Sequence, residues 1–138
     1  MPAKDIFHDL VKRALQQDGW AITHDPLFME WGEAEIYVDL GAEKLLAAEK
    51  GQQKIAVEVK SFLAPSVMSE FHTAVGQYID YRTVLEAEEP ERRLYLAISN
   101  DVYHSFFQRP FAQRVVTNNR IALLVYHIQQ EAIIRWIE

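Results

Sequence analysis

The stretch from residue 54 to 62 constrains the fold of this chain most strongly. Its β-branched residues recur at every second position, namely at Ile55, Val57 and Val59. This alternation predicts a β-strand. The same period places Glu58 and Lys60 together on the opposite face of the strand. Because a charged side chain inside a sheet needs a partner, two interpretations are open: a catalytic Glu-x-Lys pair, or a salt-bridged pair on a half-exposed edge strand.

The size and composition of the chain indicate one domain over residues 1–138. With 138 residues, 49% of them hydrophobic, the chain is long enough to bury a single core. It has no cysteine, which excludes disulfides and thiolate zinc sites. No secretory leader or membrane-spanning run is recognisable, so we expect a cytoplasmic protein that does not enter membranes.

The charge balance argues against strong binding to nucleic acid by the chain alone. Lys and Arg number 14 against 20 Asp and Glu, a formal net charge of −6. Affinity for DNA depends on the number of phosphates that cationic side chains neutralise. We therefore expect weak DNA binding unless a basic partner, a metal ion or a homodimer assists. A homodimer would gather Arg109, Arg114 and Arg120 onto one surface, and the apolar C-terminal hairpin with Trp136 is the expected contact.

Hydrophobic periodicity and turn residues predict a helix, a group of strands, a helix, a strand, and then short helices and a hairpin. The expected helices cover residues 5–17, 66–86 and, in two pieces broken at Pro110, 101–118. The expected strands cover residues 20–24 continuing over 27–32, 35–40, a part of 42–50 before a turn at 50–53, 54–62, 94–99, 121–128 and 132–137.

Several side chains are assigned structural roles by their position in these elements. In the first helix Asp5, His8 and Asp9 lie away from the apolar stripe, so we expect them to be solvated. In the second long helix Ser66 is the expected N-cap. Met68 and Arg82 both fall on the apolar stripe of this helix, and Arg82 is expected to pair with a buried carboxylate. The five histidines show no metal-ligand spacing, and Trp31 and Trp136 are expected in the core or an interface.

Four polar residues follow the spacing of a known nuclease motif. Asp39 ends a predicted strand, Glu58 and Lys60 follow on the central strand, and Gln77 lies on the next helix. This pattern resembles the PD-(D/E)xK nuclease superfamily. The resemblance implies an α/β protein with a restriction-endonuclease-like core, in which a mixed central sheet is flanked by helices in the order αβββαβ. It also implies that Asp39 and Glu58 hold Mg²⁺, that Lys60 orients or activates the attacking water, and that Gln77 supports the site.

The chemistry of these residue types agrees with that implication, although one assignment stays open. Carboxylate oxygens suit Mg²⁺, which polarises a phosphodiester and lowers the pKa of bound water, and a nearby cation stabilises developing charge. The distance in sequence from Asp39 to Glu58 is long for a simple hairpin, so Glu43 or Glu49 is an alternative partner. The superfamily often adds an acid from the first helix, and here the acids of that helix face away from its apolar stripe.

A more specific resemblance covers nearly the whole chain. It rests on the segments DGWAITHDP at 18–26, DLGAE at 39–43, IAVEVKSF at 55–62 and GQYIDYR at 76–82. These segments resemble the XisH family, cyanobacterial factors that control excision of the fdxN element during heterocyst development. The resemblance implies a role in site-specific DNA excision beside a recombinase and a second small factor.

Two functions of different classes follow from these expectations. The first is a Mg²⁺-dependent DNA endonuclease acting in excision, favoured by the presence of Asp39, Glu58 and Lys60. The second is a non-catalytic accessory protein that keeps a nuclease-like fold and acts through protein contacts. The acidic net charge and the lack of a basic stripe favour the second.

Overall fold

Eight strands and four helices make up the part of the chain that the computed structural model describes, residues 4–45 and 52–138. The helices are α1 (His8–Gln17), α2 (Val67–Glu88), α3 (Asn100–His104) and α4 (Pro110–Asn118). The strands are β1 (Ala21–His24), β2 (Leu27–Trp31), β3 (Ala34–Val38), β4 (Leu40–Leu45), β5 (Gln52–Val59), β6 (Arg92–Ser99), β7 (Leu123–His127) and β8 (Ala132–Ile137).

Six strands form a mixed sheet in the order β1-β4-β5-β6-β7-β8, and β2 and β3 form a separate antiparallel pair. The pairs β5–β6 and β6–β7 are parallel, whereas the other pairs of the large sheet are antiparallel. Parallel neighbours require long crossover connections, and α2 and then α3 with α4 provide them. The fold is therefore a mixed α/β architecture with its parallel strands at the centre.

The central strand β5 separates two apolar cores. Ile55, Val57 and Val59 face a core that includes Leu10 and Leu15 of α1. On the opposite face, the core around Ala56 includes Phe71 and Tyr78 of α2. The alternation predicted from the sequence is confirmed, because the two sets of residues lie on different sides of the sheet. The edge-strand interpretation is wrong, since β5 has β4 on one side and β6 on the other.

The long helix α2 begins where the sequence predicts. The N–H of Ser69 donates to Oγ of Ser66 at 3.1 Å, which caps the first turn. Phe71, Tyr78 and Leu85 are buried, as expected. Met68 is 40% exposed, so its assignment to the buried stripe is wrong. It lies in the first turn, before Phe71, which is the first buried residue of the helix.

The prediction that Arg82 pairs with a buried carboxylate is also wrong. Its Nη1 donates to the carbonyl oxygens of Asn119 at 2.7 Å and Arg120 at 3.0 Å, and no carboxylate within the described residues pairs with it. The last carbonyl groups of a helix lack partners within the helix. Arg82 thus supplies donors to the C-terminal end of α4.

The chain after β1 departs from the expected single strand. A cis peptide bond joins Asp25 to Pro26, and β2 then pairs with β3 rather than extending β1. The strand expected over 35–40 divides at Asp39, because β3 ends one residue before it and β4 begins one residue after it. Trp31, expected in the core or an interface, is 53% exposed on this hairpin.

The remaining predicted elements agree with the structure where it describes them. A strand within 42–50 is confirmed as far as Leu45; Glu49 and the first half of the expected turn at 50–53 lie outside the described residues, and Gln52 already belongs to β5. Pro110 starts α4, where a missing N–H costs nothing. The C-terminal hairpin is confirmed, and Trp136 stacks on Trp20 with 5.7 Å between ring centroids. In the described residues no helix is long and apolar enough to cross a membrane.

Candidate functional site

Asp39 and Glu58 come together at the end of the central strand. Leu40 pairs with Val57 across the antiparallel β4–β5 ladder, which brings Asp39 level with the C-terminal end of β5. The N–H of Asp39 donates to Oε1 of Glu58 at 3.2 Å, and the N–H of Val59 donates to Oδ2 of Asp39 at 2.8 Å. The long sequence spacing between the two acids is thus the length of the β4–β5 hairpin, and both carboxylates are fixed to the backbone.

Lys60 lies beside these carboxylates. It is the first residue after β5, and its N–H donates to the carbonyl oxygen of Ala97 on β6 at 3.0 Å. Its Nζ lies 3.8 Å from Oε2 of Glu58, and its side chain is only 18% exposed. The structure therefore brings three of the four residues predicted from the sequence into one cluster.

The two acids are crowded in a poorly solvated position. Burial and, after it, the charge of Asp39 raise the pKa of Glu58 to about 8, and Lys60 opposes both effects. Burial also raises the pKa of Asp39, against the lowering effect of the Val59 N–H and of His8. Two carboxyl groups in contact resist double ionisation. A bound proton or metal cation would therefore relieve the repulsion between these two carboxyl groups.

Gln77 and Tyr81 lie one turn apart on α2. Burial and, after it, the charges of Glu58 and Asp39 raise the pKa of Tyr81 to about 12. Gln77 is half-buried, and its Oε1 has no hydrogen-bond partner among the described residues. No hydrogen bond in that part of the chain joins Gln77 to the cluster, so its supporting role stays a prediction.

Two residues of the first helix region were placed wrongly by the sequence. Asp5 accepts the N–H of Ser61 at 2.9 Å, one residue beyond Lys60. His8 is buried, with Nε2 at 2.7 Å from Oδ1 of Asp25 and Nδ1 at 3.9 Å from Oδ1 of Asp39. Their expected solvation is contradicted because the start of α1 and the residues before it contact the segments that follow β1, β3 and β5. The expectation holds for Asp9, which is exposed.

Asp25 completes a chain of charged groups that the sequence did not suggest. Desolvation opposes ionisation of Asp25, but hydrogen bonds from Lys12 and His8 outweigh it and lower its pKa. Lys12 Nζ lies 2.7 Å from Oδ2 of Asp25. The position of Asp25, directly before a proline and after a strand, was the one sequence feature that marked it.

Comparison with known proteins places this geometry in a family. The family model described as XisH protein matches residues 1–134. The chain belongs to the XisH family. A crystal structure of an XisH family protein from Nostoc punctiforme PCC 73102 is 46% identical, with a TM-score of 0.89 over 97% of this chain and 100% of that one.

A second similar structure carries a functional description. The fdxN element excision controlling factor protein from Anabaena variabilis is 47% identical to this XisH-family chain, with a TM-score of 0.89. The likeness covers 98% of this chain and 100% of that one. None of the curated proteins matches the chain.

Glu43 does not replace Asp39 in this XisH-family protein. Glu43 pairs with Lys54 in the β4–β5 register, toward the opposite end of the strands, and its Oε2 lies 3.8 Å from Nη2 of Arg92. Glu49 lies outside the described residues. Glu43 thus belongs to a separate ion-pair cluster.

The donor set suits a divalent cation that keeps part of its water shell. Within residues 4–45 and 52–138, no three or more His, Asp or Glu side chains converge closely enough to enclose a metal by themselves. Mg²⁺ is commonly held by one or two carboxylates and several waters. Asp39 and Glu58, both oxygen donors of raised pKa, fit that pattern of binding.

Proposed function

We propose that this XisH-family protein is a metal-dependent DNA endonuclease of the PD-(D/E)xK type that acts in the excision of a DNA element. The observation that carries the proposal is the convergence of Asp39, Glu58 and Lys60 at the C-terminal end of the central strand. The excision role is that of the Anabaena variabilis relative, an fdxN element excision controlling factor.

The architecture supports a restriction-endonuclease-like classification. A helix precedes an antiparallel strand pair, the central strand β5 carries Glu58 and Lys60 at its end, and α2 crosses to a parallel strand β6. This is the αβββαβ order that the superfamily resemblance implies, with β2–β3 as an additional hairpin.

The side chains supply complementary parts of phosphodiester hydrolysis. Asp39 and Glu58 would hold Mg²⁺, which would supply Lewis-acid chemistry toward the phosphodiester and its attacking water. Lys60 orients the attacking water and stabilises the charge that develops on the phosphate. The amide of Gln77 on α2 would support the position of the water.

Contact with DNA requires cations that are not already paired. In the described part of the chain, Lys4, Lys12, Lys44, Lys54 and Lys60 all have carboxylate partners, whereas Arg109, Arg114 and Arg120 have none. These three arginines are exposed on and around α4. They provide a small basic surface, which is too little for tight binding at a net charge of −6.

The protein therefore acts with partners: a recombinase, a second small excision factor, and a second copy of the chain. The edge strand β8 is half-exposed and offers unpaired backbone groups for such association. We expect the isolated protein neither to shift nor to cut duplex DNA detectably at physiological salt.

The alternative function is a non-catalytic accessory factor with a nuclease-like fold. The acidic net charge favours it, as does the lack of three converging protein ligands among the described residues. In that case the Glu58–Lys60 contact is only a structural ion pair.

A nicking assay on supercoiled DNA with Mg²⁺ or Mn²⁺ tests the endonuclease, with and without the recombinase and the second factor. Lys60→Ala should reduce cleavage by about 100-fold or more, because a positioned cation at the reacting phosphate contributes that order of rate. Lys54→Ala is the matched control: it removes the same charge from the same face of β5, where Lys54 pairs with Glu91.

Equal loss of cleavage in both lysine variants, or cleavage unaffected by Lys60→Ala, contradicts the proposed site. Excision that proceeds normally with Lys60→Ala supports the accessory factor. Strong cutting by the protein alone refutes the need for partners but keeps the endonuclease.

A further inference from the structure

The hairpin formed by β2 and β3 has one buried face and one uncovered face. The buried face packs with α2 and carries Leu27, Met29, Ile36 and Val38. Because side chains alternate across a strand, the residues between these four point the other way. They are Phe28, Glu30, Glu35 and Tyr37, and we call them the outer hairpin face. Nothing in the described part of the chain covers this face, since Phe28 is 44% exposed and both glutamates are exposed.

Two like charges lie directly opposite each other on the outer hairpin face. Glu30 of β2 is the register partner of Glu35 of β3. Side chains in such positions have Cβ atoms about 4.5 to 5.5 Å apart, and like charges there destabilise a sheet. Among the described residues, neither glutamate forms an ion pair. A cation placed between the two carboxylates would relieve their repulsion.

An aromatic pair lies next to the two glutamates on the same face. Phe28 is opposite Tyr37, and their ring centroids are 4.9 Å apart with an interplanar angle of 44°. Residues two positions apart on a strand are separated by roughly 7 Å, so one long side chain reaches from the rings to the carboxylates. Aromatic rings attract cations, and a guanidinium group also stacks on them.

We propose that the outer hairpin face is a docking surface for an arginine-bearing segment of a partner protein. A guanidinium group offers a planar set of donors that matches carboxylates and stacks on the adjacent rings, whereas an ammonium group is a compact point charge. The face does not suit DNA, because the sequence has no Lys or Arg between Arg13 and Lys44 that would neutralise phosphates. The inference goes beyond the proposed function and does not depend on DNA cleavage.

Nuclear magnetic resonance on the isotope-labelled full chain tests the surface with a defined probe. The probe is a capped peptide of alternating arginine and glycine, and the same peptide with lysine in place of arginine is the comparison. At physiological salt, the arginine peptide should shift the backbone amide signals of the outer hairpin face. It should bind about 5-fold or more tightly than the lysine peptide. This mapping uses the unaltered protein, so it does not depend on the folding of any variant.

Variants separate the contributions of the two pairs. Glu30→Gln combined with Glu35→Gln should weaken binding of the arginine peptide by about 10-fold or more, because charge-assisted hydrogen bonds are lost. Phe28→Leu keeps an apolar side chain but removes a ring, and should weaken binding by about 2- to 5-fold.

Glu86→Gln combined with Glu88→Gln is the matched control for the glutamate variant. It makes the same change in net charge at exposed positions of α2. Because salt screens distant charges, the control should change binding by less than about 2-fold. Equal weakening in the two double variants would show that only net charge matters, and would overturn the docking surface.

Three further results would overturn the proposal. The first is the absence of amide shifts on the outer hairpin face at millimolar arginine peptide, and the second is equal affinity for the lysine peptide. The third is a different occupant: shifts on this face caused by duplex DNA, or by raising the concentration of the protein alone, would assign it to DNA or to a second copy. Each result leaves the proposed endonuclease to its own nicking assay, since the face contains none of the proposed catalytic residues.

Discussion

The ionisation of Glu58 makes the stability of the fold depend on pH. Its pKa is about 8 in the folded protein against 4.5 as its ordinary value. The folded state therefore binds more protons than the unfolded state between these pH values, and the free energy of unfolding falls as pH rises through them. A group that stays neutral at this position would not show that loss.

Glu58→Gln should accordingly be more stable than the unaltered protein at pH 8.5, by about 2 kcal/mol. At pH 4, where the carboxyl group is protonated in both states, the difference should nearly disappear. Urea denaturation between pH 4 and 9 without metal measures this, with Glu86→Gln, an exposed acid of α2, as the control. A large loss of stability at pH 8.5 would instead show that the Glu58–Lys60 ion pair is structural.

Tyr126 carries a buried hydroxyl without a hydrogen-bond partner in the described residues. Burial raises its pKa, and the charges of Asp5 and Glu70 raise it further. Because an unsatisfied buried polar group costs free energy, Tyr126→Phe should raise the free energy of unfolding by about 1 kcal/mol.

Tyr78→Phe is the matched comparison for this change in the same denaturation experiment. Its hydroxyl donates to the carbonyl oxygen of Leu94 at 2.9 Å and accepts the N–H of Ala122 at 3.0 Å. Its removal should lower the free energy of unfolding by about 1 to 3 kcal/mol. Equal effects in the two variants would contradict the difference in hydrogen bonding.

At the scale of elements, Arg92 of β6 joins three parts of the fold. Its side chain is 2% exposed. It donates to the carbonyl oxygen of Ile55 at 2.9 Å and to the carboxylate of Glu89 at 3.1 Å. Its guanidinium group also lies 3.8 Å from the carboxylate of Glu43. Removing one member of a buried ionic cluster leaves the others unpaired, so Arg92→Ala should lower stability by about 3 to 5 kcal/mol.

The next residue offers a control for Arg92. Arg93 forms a 3.0 Å ion pair with Glu138, and both side chains are more than half exposed. Arg93→Ala should change the midpoint of urea denaturation only slightly, by about 1 kcal/mol or less. A similar loss in both variants would show that burial does not decide the contribution of these arginines.

The sequence predicts best those elements that a local residue pattern defines without contacts from other elements. The alternation in β5 and the Ser66 cap of α2 are local, and both are confirmed. Asp39 and Glu58 were paired through motif spacing rather than through geometry. His8 and Asp25 were missed because they meet only when α1 packs across the sheet. Helical periodicity shows only where a residue lies relative to the apolar stripe of its own helix. His8 lies beside that stripe and is buried by contacts with residues of other elements.

The division of the expected strand at Asp39 has a similar cause. The apolar alternation continues from Ile36 to Leu40, yet the backbone leaves one sheet and enters the other between them. The alternation of side chains along one strand does not show which other strand it pairs with. The assignment therefore needed the pairing of β3 with β2 and of β4 with β5.

For the whole molecule, the charged residues that give the net charge of −6 are unevenly distributed along the chain. Residues 92–137 contain six arginines and two acids, whereas the acids dominate the preceding part of the sequence. Arg109, directly before α4, and Arg114, on α4, are exposed and have no carboxylate partner among the described residues. The helix α4 packs on the α2 side of the sheet, the face that carries Glu58. We expect a DNA backbone, bound as proposed above, to lie against this surface.

At low salt, Arg109→Ala and Arg114→Ala should each weaken binding to a duplex, and each should lower the slope of log affinity against log salt by about 1. Arg13→Ala is the control, because Arg13 lies on α1 across the sheet and pairs with Glu131 at 3.2 Å. Fluorescence anisotropy with a labelled duplex at several salt concentrations measures all three. An equal effect of Arg13→Ala would show that only total charge matters.

The position of Asp39 between the β2–β3 hairpin and the large sheet determines where the chain tolerates a change in length. The hairpin turns at Gly32 and Glu33, which are exposed and lie at the opposite end of the hairpin from Asp39. Residues added at that tip extend the hairpin outward and leave Asp39 in place. A single residue added between Val38 and Leu40 displaces the carboxylate from the Val59 N–H that holds it. Relatives of different length should therefore vary at the hairpin tip, and a fluorescent label or affinity tag belongs there as well.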